Sequence, residues 1–164
     1  MICDALLSLH GSISGNTVTG ANAFATSANI NSTNVVDLSS GYSPSSVTQT
    51  RDVGAGNDLL RMRVAVTTAF TGGTSAAFEI IAHDDTAQST NVTVIGSTGA
   101  IPVASLTAGS RFMAEINTRL LSKGQRYISM RTVNVGANTA GAIYADFGPD
   151  LEDFKTYPGG FVVL

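Results

Sequence analysis

The chain has no tryptophan, a single cysteine and few charges; Asp, Glu, Lys and Arg together make up 13% of it. Each shortage removes a class of protein. One cysteine, Cys3, cannot close an internal disulfide, so the fold must stand on its own core, as suits folding in a reducing cytosol. Cys3 has no His, Lys or Arg beside it in sequence to lower its pKa and reads as a small buried hydrophobe. The charged share is roughly half the ordinary one, and Ser, Thr, Asn, Gly and Ala take its place. A surface of small uncharged groups suits a protein largely covered by neighbours. Net charge is −3, the isoelectric point is about 5.1, and the nine Lys and Arg are scattered. No basic field exists for direct nucleic-acid binding. The longest uncharged stretches are rich in Ser, Thr and Asn, so no membrane span is expected. The start, "MICDALLSLHG", has Asp4 inside its apolar run and no basic lead, so no secretory leader is expected.

The glycine pair that invites a ligand lies in "RDVGAGNDLL", residues 51–60. A dinucleotide fingerprint needs a third glycine, a strand before it and a helix after. Leu59 stands at the third position, and a strand pattern follows. A phosphate loop needs Gly-Lys-Ser/Thr; Asn57-Asp58 supplies neither the lysine nor the hydroxyl, and Asp58 would repel a phosphate. The segment reads as a tight turn feeding a core strand, with Arg51 and Asp52 placed to form a local or interfacial ion pair.

Other chemistry is as thin. "HDD", His83-Asp84-Asp85, is the best metal-like cluster, but neighbouring strand residues diverge and His10 is distant in sequence. It reads as a polar strand end. Glu79 and Glu115 both sit on strand patterns and could form a glycosidase pair. The missing tryptophan, a common sugar platform, counts against that. No G-x-S-x-G elbow occurs for a Ser-His-Asp hydrolase. The expectation is a protein that is not an enzyme, with no cofactor and no metal.

What the chain does have is period-two alternation. In "LLRMRVAVTTAF", residues 59–70, Leu60, Met62, Val64, Val66 and Phe70 share one face; Arg61, Arg63, Ala65 and Thr67 share the other. The arginine face is either solvated or set to pair with an acidic partner surface. "TGG" then turns the chain into "AAFEIIAHDD", with Phe78, Ile80 and Ala82 on one face, and the two segments read as a hairpin. "VVDL", "NVTVIG", "RFMAEIN", "RYISMRTVNV" and "AGAIYADFG" are further strands, and "INTRLLSKG" holds at most a helical turn. Short strands separated by Gly-rich turns predict an all-β sandwich or barrel over residues 1–148. Within it, residues 11–34 form a polar tract read as a loop, weak strands or an arm. Residues 149–164 form a separate tail, acidic first and then aromatic with Phe154, Tyr157 and Phe161. The tail is expected either to tuck onto its own sandwich or to dock on a neighbour.

The order of "MICDAL", "NVVDL", "RDVGAGNDLLRMRVAVTTAF", "GAIPVASLTAGSRF", "RYISMRTVNVG" and "AGAIYADF" along residues 1–147 resembles the capsid cement, or decoration, proteins of tailed DNA phages, of the Bordetella-phage type. The tract at 11–34 and the tail at 149–164 depart from that pattern. The resemblance implies a jelly-roll-like antiparallel β-sandwich with no catalytic residues. It implies a homo-oligomer, dimer or trimer, that folds in the host cytoplasm and binds the outside of the virion's capsid. There it would bridge major capsid protein subunits and stabilise the shell. The alternative is a virion-surface adhesin or carbohydrate-binding module on the same sandwich.

Overall fold

The structure, a computed structural model, describes residues 7–15, 17–38, 61–117 and 125–148. The expectations for Cys3, for residues 39–60 with Arg51 and Asp52, for a helical turn in 118–124, and for residues 149–164 with Phe154, Tyr157 and Phe161 lie outside these residues.

The strands are, in chain order, β1 (Ser8–His10), β2 (Ser12–Ser14), β3 (Thr17–Thr19), β4 (Ala21–Asn22), β5 (Asn29–Asn31), β6 (Val36–Asp37), β7 (Arg61–Gly72), β8 (Ser75–His83), β9 (Thr93–Ser97), β10 (Ile101–Pro102), β11 (Arg111–Glu115), β12 (Tyr127–Val135) and β13 (Asn138–Gly148). They build two antiparallel sheets. In the first, β13 lies between β7 and the short pieces β1 and β4, and β11 pairs with the far side of β7. In the second, β8 and β12 form the centre, flanked by β9 and β10 on β8 and by β5 and β6 on β12. β2 and β3 pair with each other and stand apart from both sheets. The all-β sandwich expected from the alternation is thus present.

The apolar faces meet between the sheets. Met62, Val64, Val66 and Phe70 of β7 face Phe78, Ile80, Ile128 and Met130 of the opposite layer, all buried. Each such side chain contributes roughly 1.5–3 kcal/mol on burial. The expected hairpin of β7 and β8 is a correction: the two strands belong to different sheets and do not pair. They face each other through side chains, with the Phe70 and Phe78 rings edge-on at 6.3 Å. Alternation marks a buried face; it does not say which strand the backbone bonds.

Two of the places where the chain changes sheets, from β7 to β8 and from β12 to β13, touch each other. The Thr74 N–H donates to the Val135 carbonyl at 2.8 Å. Gly136 has φ +84°, and a Cβ there would lie 2.9 Å from Gly73 Cα and from Thr74 N. Only glycine combines that conformation with that approach. The long sides of the sandwich are closed as well. The Asn117 N–H, just past β11, donates to Ile95 of β9 at 2.6 Å, and the Asn34 N–H donates to Leu9 of β1 at 2.9 Å.

Of the readings open for the polar tract at 11–34, the described residues show short strands: β4 adds to β13 and β5 adds to β12. Between them, the Asn134 amide donates to the carbonyls of Ala23 and Ala28 at 3.2 Å, and the Ser27 N–H donates to Gly136 at 2.9 Å. These pieces are held by backbone bonding rather than by an apolar face, which is why they carry no periodicity.

Replacing Gly136 by Ala is expected to cost about 1–3 kcal/mol, from overpacking against backbone and a strained φ. A urea melt reads this as a lower midpoint with an unchanged slope; an unchanged midpoint would mean the corner is not tight.

Candidate contact surface

At the centre of the first sheet, Arg63 on β7 lies opposite Asp146 on β13. The arginine Nε donates to Oδ1 at 2.8 Å and Nη2 to Oδ2 at 2.6 Å. Asp146 is fully buried and Arg63 is 5% exposed. The guanidinium lies over Gly148, two residues further along the same face of β13, where any side chain would occupy its place. A buried, two-pronged pair of this kind is strong and directional.

Three more pairs join neighbouring strands. Arg61 Nη2 meets Glu115 of β11 at 3.1 Å, and Arg131 Nε meets Glu79 of β8 at 2.7 Å. Arg126, just before β12, makes a two-pronged pair with Asp37 of β6, both distances 2.8 Å, and lies over the Tyr127 ring at 5.1 Å. The hydrogen bond that Arg126 donates to Asp37 raises the arginine's pKa above its ordinary value. The arginine face of β7 was expected to be either solvated or paired to a partner. The acids that Arg61 and Arg63 meet here are the chain's own. Glu79 and Glu115, weighed as a catalytic pair, stand on different sheets, each against an arginine.

His83 and the loop after it form a second polar assembly. The carboxylate of Asp84 accepts from Asn91 Nδ2 at 2.9 Å. That of Asp85 accepts from the Ser89 N–H at 2.9 Å, from the Ser89 hydroxyl at 2.8 Å and from the Thr90 hydroxyl. These donors hold Asp85 far below the usual carboxylate range. Among the described residues no three metal-ligating side chains converge. His83 Nδ1 donates to the Asp85 carbonyl at 2.6 Å, and its ring stacks on Tyr127 at 5.9 Å.

Sequence reasoning missed one contact: His83 Nε2 lies 2.8 Å from Ser129 Oγ. That hydroxyl stands between the imidazole and Gln88 Oε1, 2.9 Å away, and Gln88 Nε2 donates to the Ser32 carbonyl at 3.0 Å. A serine bonded to a histidine suggests a nucleophile and its base. Both side chains, however, have zero exposure, and a backbone carbonyl stands where a triad has its carboxylate. A substrate has no approach, so the arrangement links loop, strand and polar tract instead. Its only sequence signal is two polar residues on outward positions of strands whose pairing was unknown.

His10 makes a similar link. Its Nδ1 accepts from the Thr33 N–H at 3.2 Å, so Nε2 carries the proton and donates to the Asn22 carbonyl at 3.0 Å. Burial lowers the pKa of both histidines, opposed in each by hydrogen bonds to carbonyls and, for His83, also by the charges of Asp85 and Asp84.

One neutral part of the described surface is the β2–β3 ribbon, where every residue of the two strands but Ile13 is exposed, Val18 included. Its two feet are glycines. A Cβ on Gly20 would run into the Thr67 side chain, and one on Gly11 would press on the Tyr144 ring at 3.2 Å.

A model of the Bbp16 family matches residues 20–147. That span runs from the second foot of the ribbon to the end of β13 and takes in β4 through β11, β12 and nearly all of β13. No curated protein matches the chain.

Two outcomes follow from these groups. Asp146→Ala leaves the Arg63 charge buried without its carboxylate and is expected to cost about 3–5 kcal/mol, read as a lower unfolding midpoint; a loss no larger than that of an exposed pair would contradict the buried-pair account. For the histidines, the folded pKa lies below the unfolded value of 6.5. The unfolded chain therefore binds protons first as pH falls, so stability is full above the unfolded pKa and declines below it. Melting temperature followed downward from about pH 8 should begin to fall near that value. His10→Gln should make the fall shallower, and an equal slope would exclude His10 as a source.

Proposed function

The chain belongs to the Bbp16 family, a Bordetella phage protein family, and from that premise we propose that it is a capsid cement protein. It sits on the outer surface of the assembled shell, bridges major capsid protein subunits and acts as a homo-oligomer without catalysis. The observation that carries this reading is the use of charge. The described acids and the arginines Arg61, Arg63, Arg126 and Arg131 are engaged inside the chain, and what faces outward in the polar tract is neutral.

Such a surface holds a partner by hydrogen bonds and close fit rather than by ion pairs, and so resists changes in salt. A subunit that touches two capsid subunits makes its second contact intramolecularly, which multiplies weak affinities. Binding the assembled lattice but not free subunits stabilises the lattice by mass action. The closed sandwich supplies the rigid body through which one contact is coupled to the other.

Co-sedimentation tests this. The purified chain is mixed with empty expanded shells and, separately, with unassembled capsid protein. Saturable binding to shells alone, a raised shell melting temperature and little loss of binding at high salt are expected. Absence of binding to either would exclude a cement role and make a glycan array the next measurement, for the adhesin alternative.

A further inference from the structure

We propose that the β2–β3 ribbon is a strand acceptor: an extended, uncharged segment of a capsid subunit pairs along its open edge and extends two strands to three. The identity of the partner rests on the cement reading above. The chemistry of the site rests on the ribbon.

Among the described residues β2 and β3 pair only with each other, in register Ser12–Thr19, Ile13–Val18 and Ser14–Thr17. In an antiparallel pair, alternate residues of each strand turn their N–H and C=O outward. A lone two-stranded ribbon is marginal in water and gains from a third strand. Exposed edges are ordinarily blunted by lysine, other charges or proline. From Gly11 to Val36 the sequence holds no charged residue and no proline. An unprotected edge of Ser-Ile-Ser and Thr-Val-Thr is composed for pairing.

The site is also positioned. Gly11 and Gly20 press the root of the ribbon onto Tyr144 of β13 and Thr67 of β7, on the outer face of the first sheet. The root of the ribbon is therefore fixed to the rigid part of the sandwich. The family match begins at residue 20, where the ribbon ends, so the matched core does not include it. Main-chain bonding along such an edge supplies affinity, and the alternate side chains supply selection. A charged partner segment would meet no counter-charge here and would lose hydration without return, which commits the occupant to a neutral strand.

The test uses the full chain and empty expanded shells. Val18 is exposed, so its substitution should leave the fold intact. Val18→Pro removes a main-chain donor from β3, Val18→Lys adds a charge to the edge, and Val18→Thr keeps donor and strand preference. Shell affinity should fall on the order of tenfold or more for the first two and hold for the third, at unchanged melting temperature for Val18→Lys and Val18→Thr. Amide exchange in β2 or β3 should slow when the wild-type chain is bound. Wild-type binding with equal affinity for all variants and unprotected ribbon amides would overturn the proposal and leave the cement reading standing. No wild-type binding would overturn both. A change confined to self-association of the free chain, with shell binding intact, would assign the edge to a second copy and overturn the proposal as stated.

Discussion

A guanidinium held against a carboxylate out of reach of water tolerates little slack. Arg63 and Asp146 stand opposite each other on the two longest strands, and both prongs are made at 2.6–2.8 Å. A slip of β13 by one residue would carry Asp146 to the other face and separate two buried charges from each other, a cost of roughly several kcal/mol. The register of the central pair is therefore held by this polar contact on one face and by Ile143, Ala145 and Phe147 in the core on the other. Gly148 leaves room for the guanidinium, and the apolar residues on the other face of the same strands lie in the core.

The remaining charge follows the same logic with less force. Arg61 with Glu115, Arg131 with Glu79 and Arg126 with Asp37 each tie adjacent strands, but they lie nearer water, where such pairs contribute little individually. Their larger effect is on what the surface lacks. Among the described residues the acids and Arg61, Arg63, Arg126 and Arg131 are committed to partners within the chain, and much of what the rest offers is hydroxyls, amides and small apolar groups.

Much of this was legible in sequence. Alternation located β7, β8, β9, β11, β12 and β13 to within a few residues, because burial on one face of a strand imposes a period of two. Alternation is silent about partners. Residues 71–73 read as a hairpin turn although the chain there changes sheets, since both arrangements need the same glycines. Arg63 read as a surface residue because its partner lies 83 residues away, and the contact of His83 with Ser129 was hidden for the same reason, across 46 residues. The tract at 11–34 left loop, weak strands and arm open, because short strands held mainly by hydrogen bonds leave no hydrophobic signature. Of the proposed contact residues, Arg51, Asp52, Phe154, Tyr157 and Phe161 fall outside the described residues.

The two crossings near Gly73 and Gly136 have a mechanical consequence. Because β7 continues into β8 and β12 into β13 through tight turns, the layers are tied by short covalent links at this end, where the two corners also bond to each other. A force that pulls outward on one sheet is carried through peptide bonds into the other. The layers cannot be peeled apart from that end without first tearing the ladders that hold β8 to β12 and β7 to β13. Those ladders would be loaded in shear, along many hydrogen bonds at once, rather than opened one bond at a time.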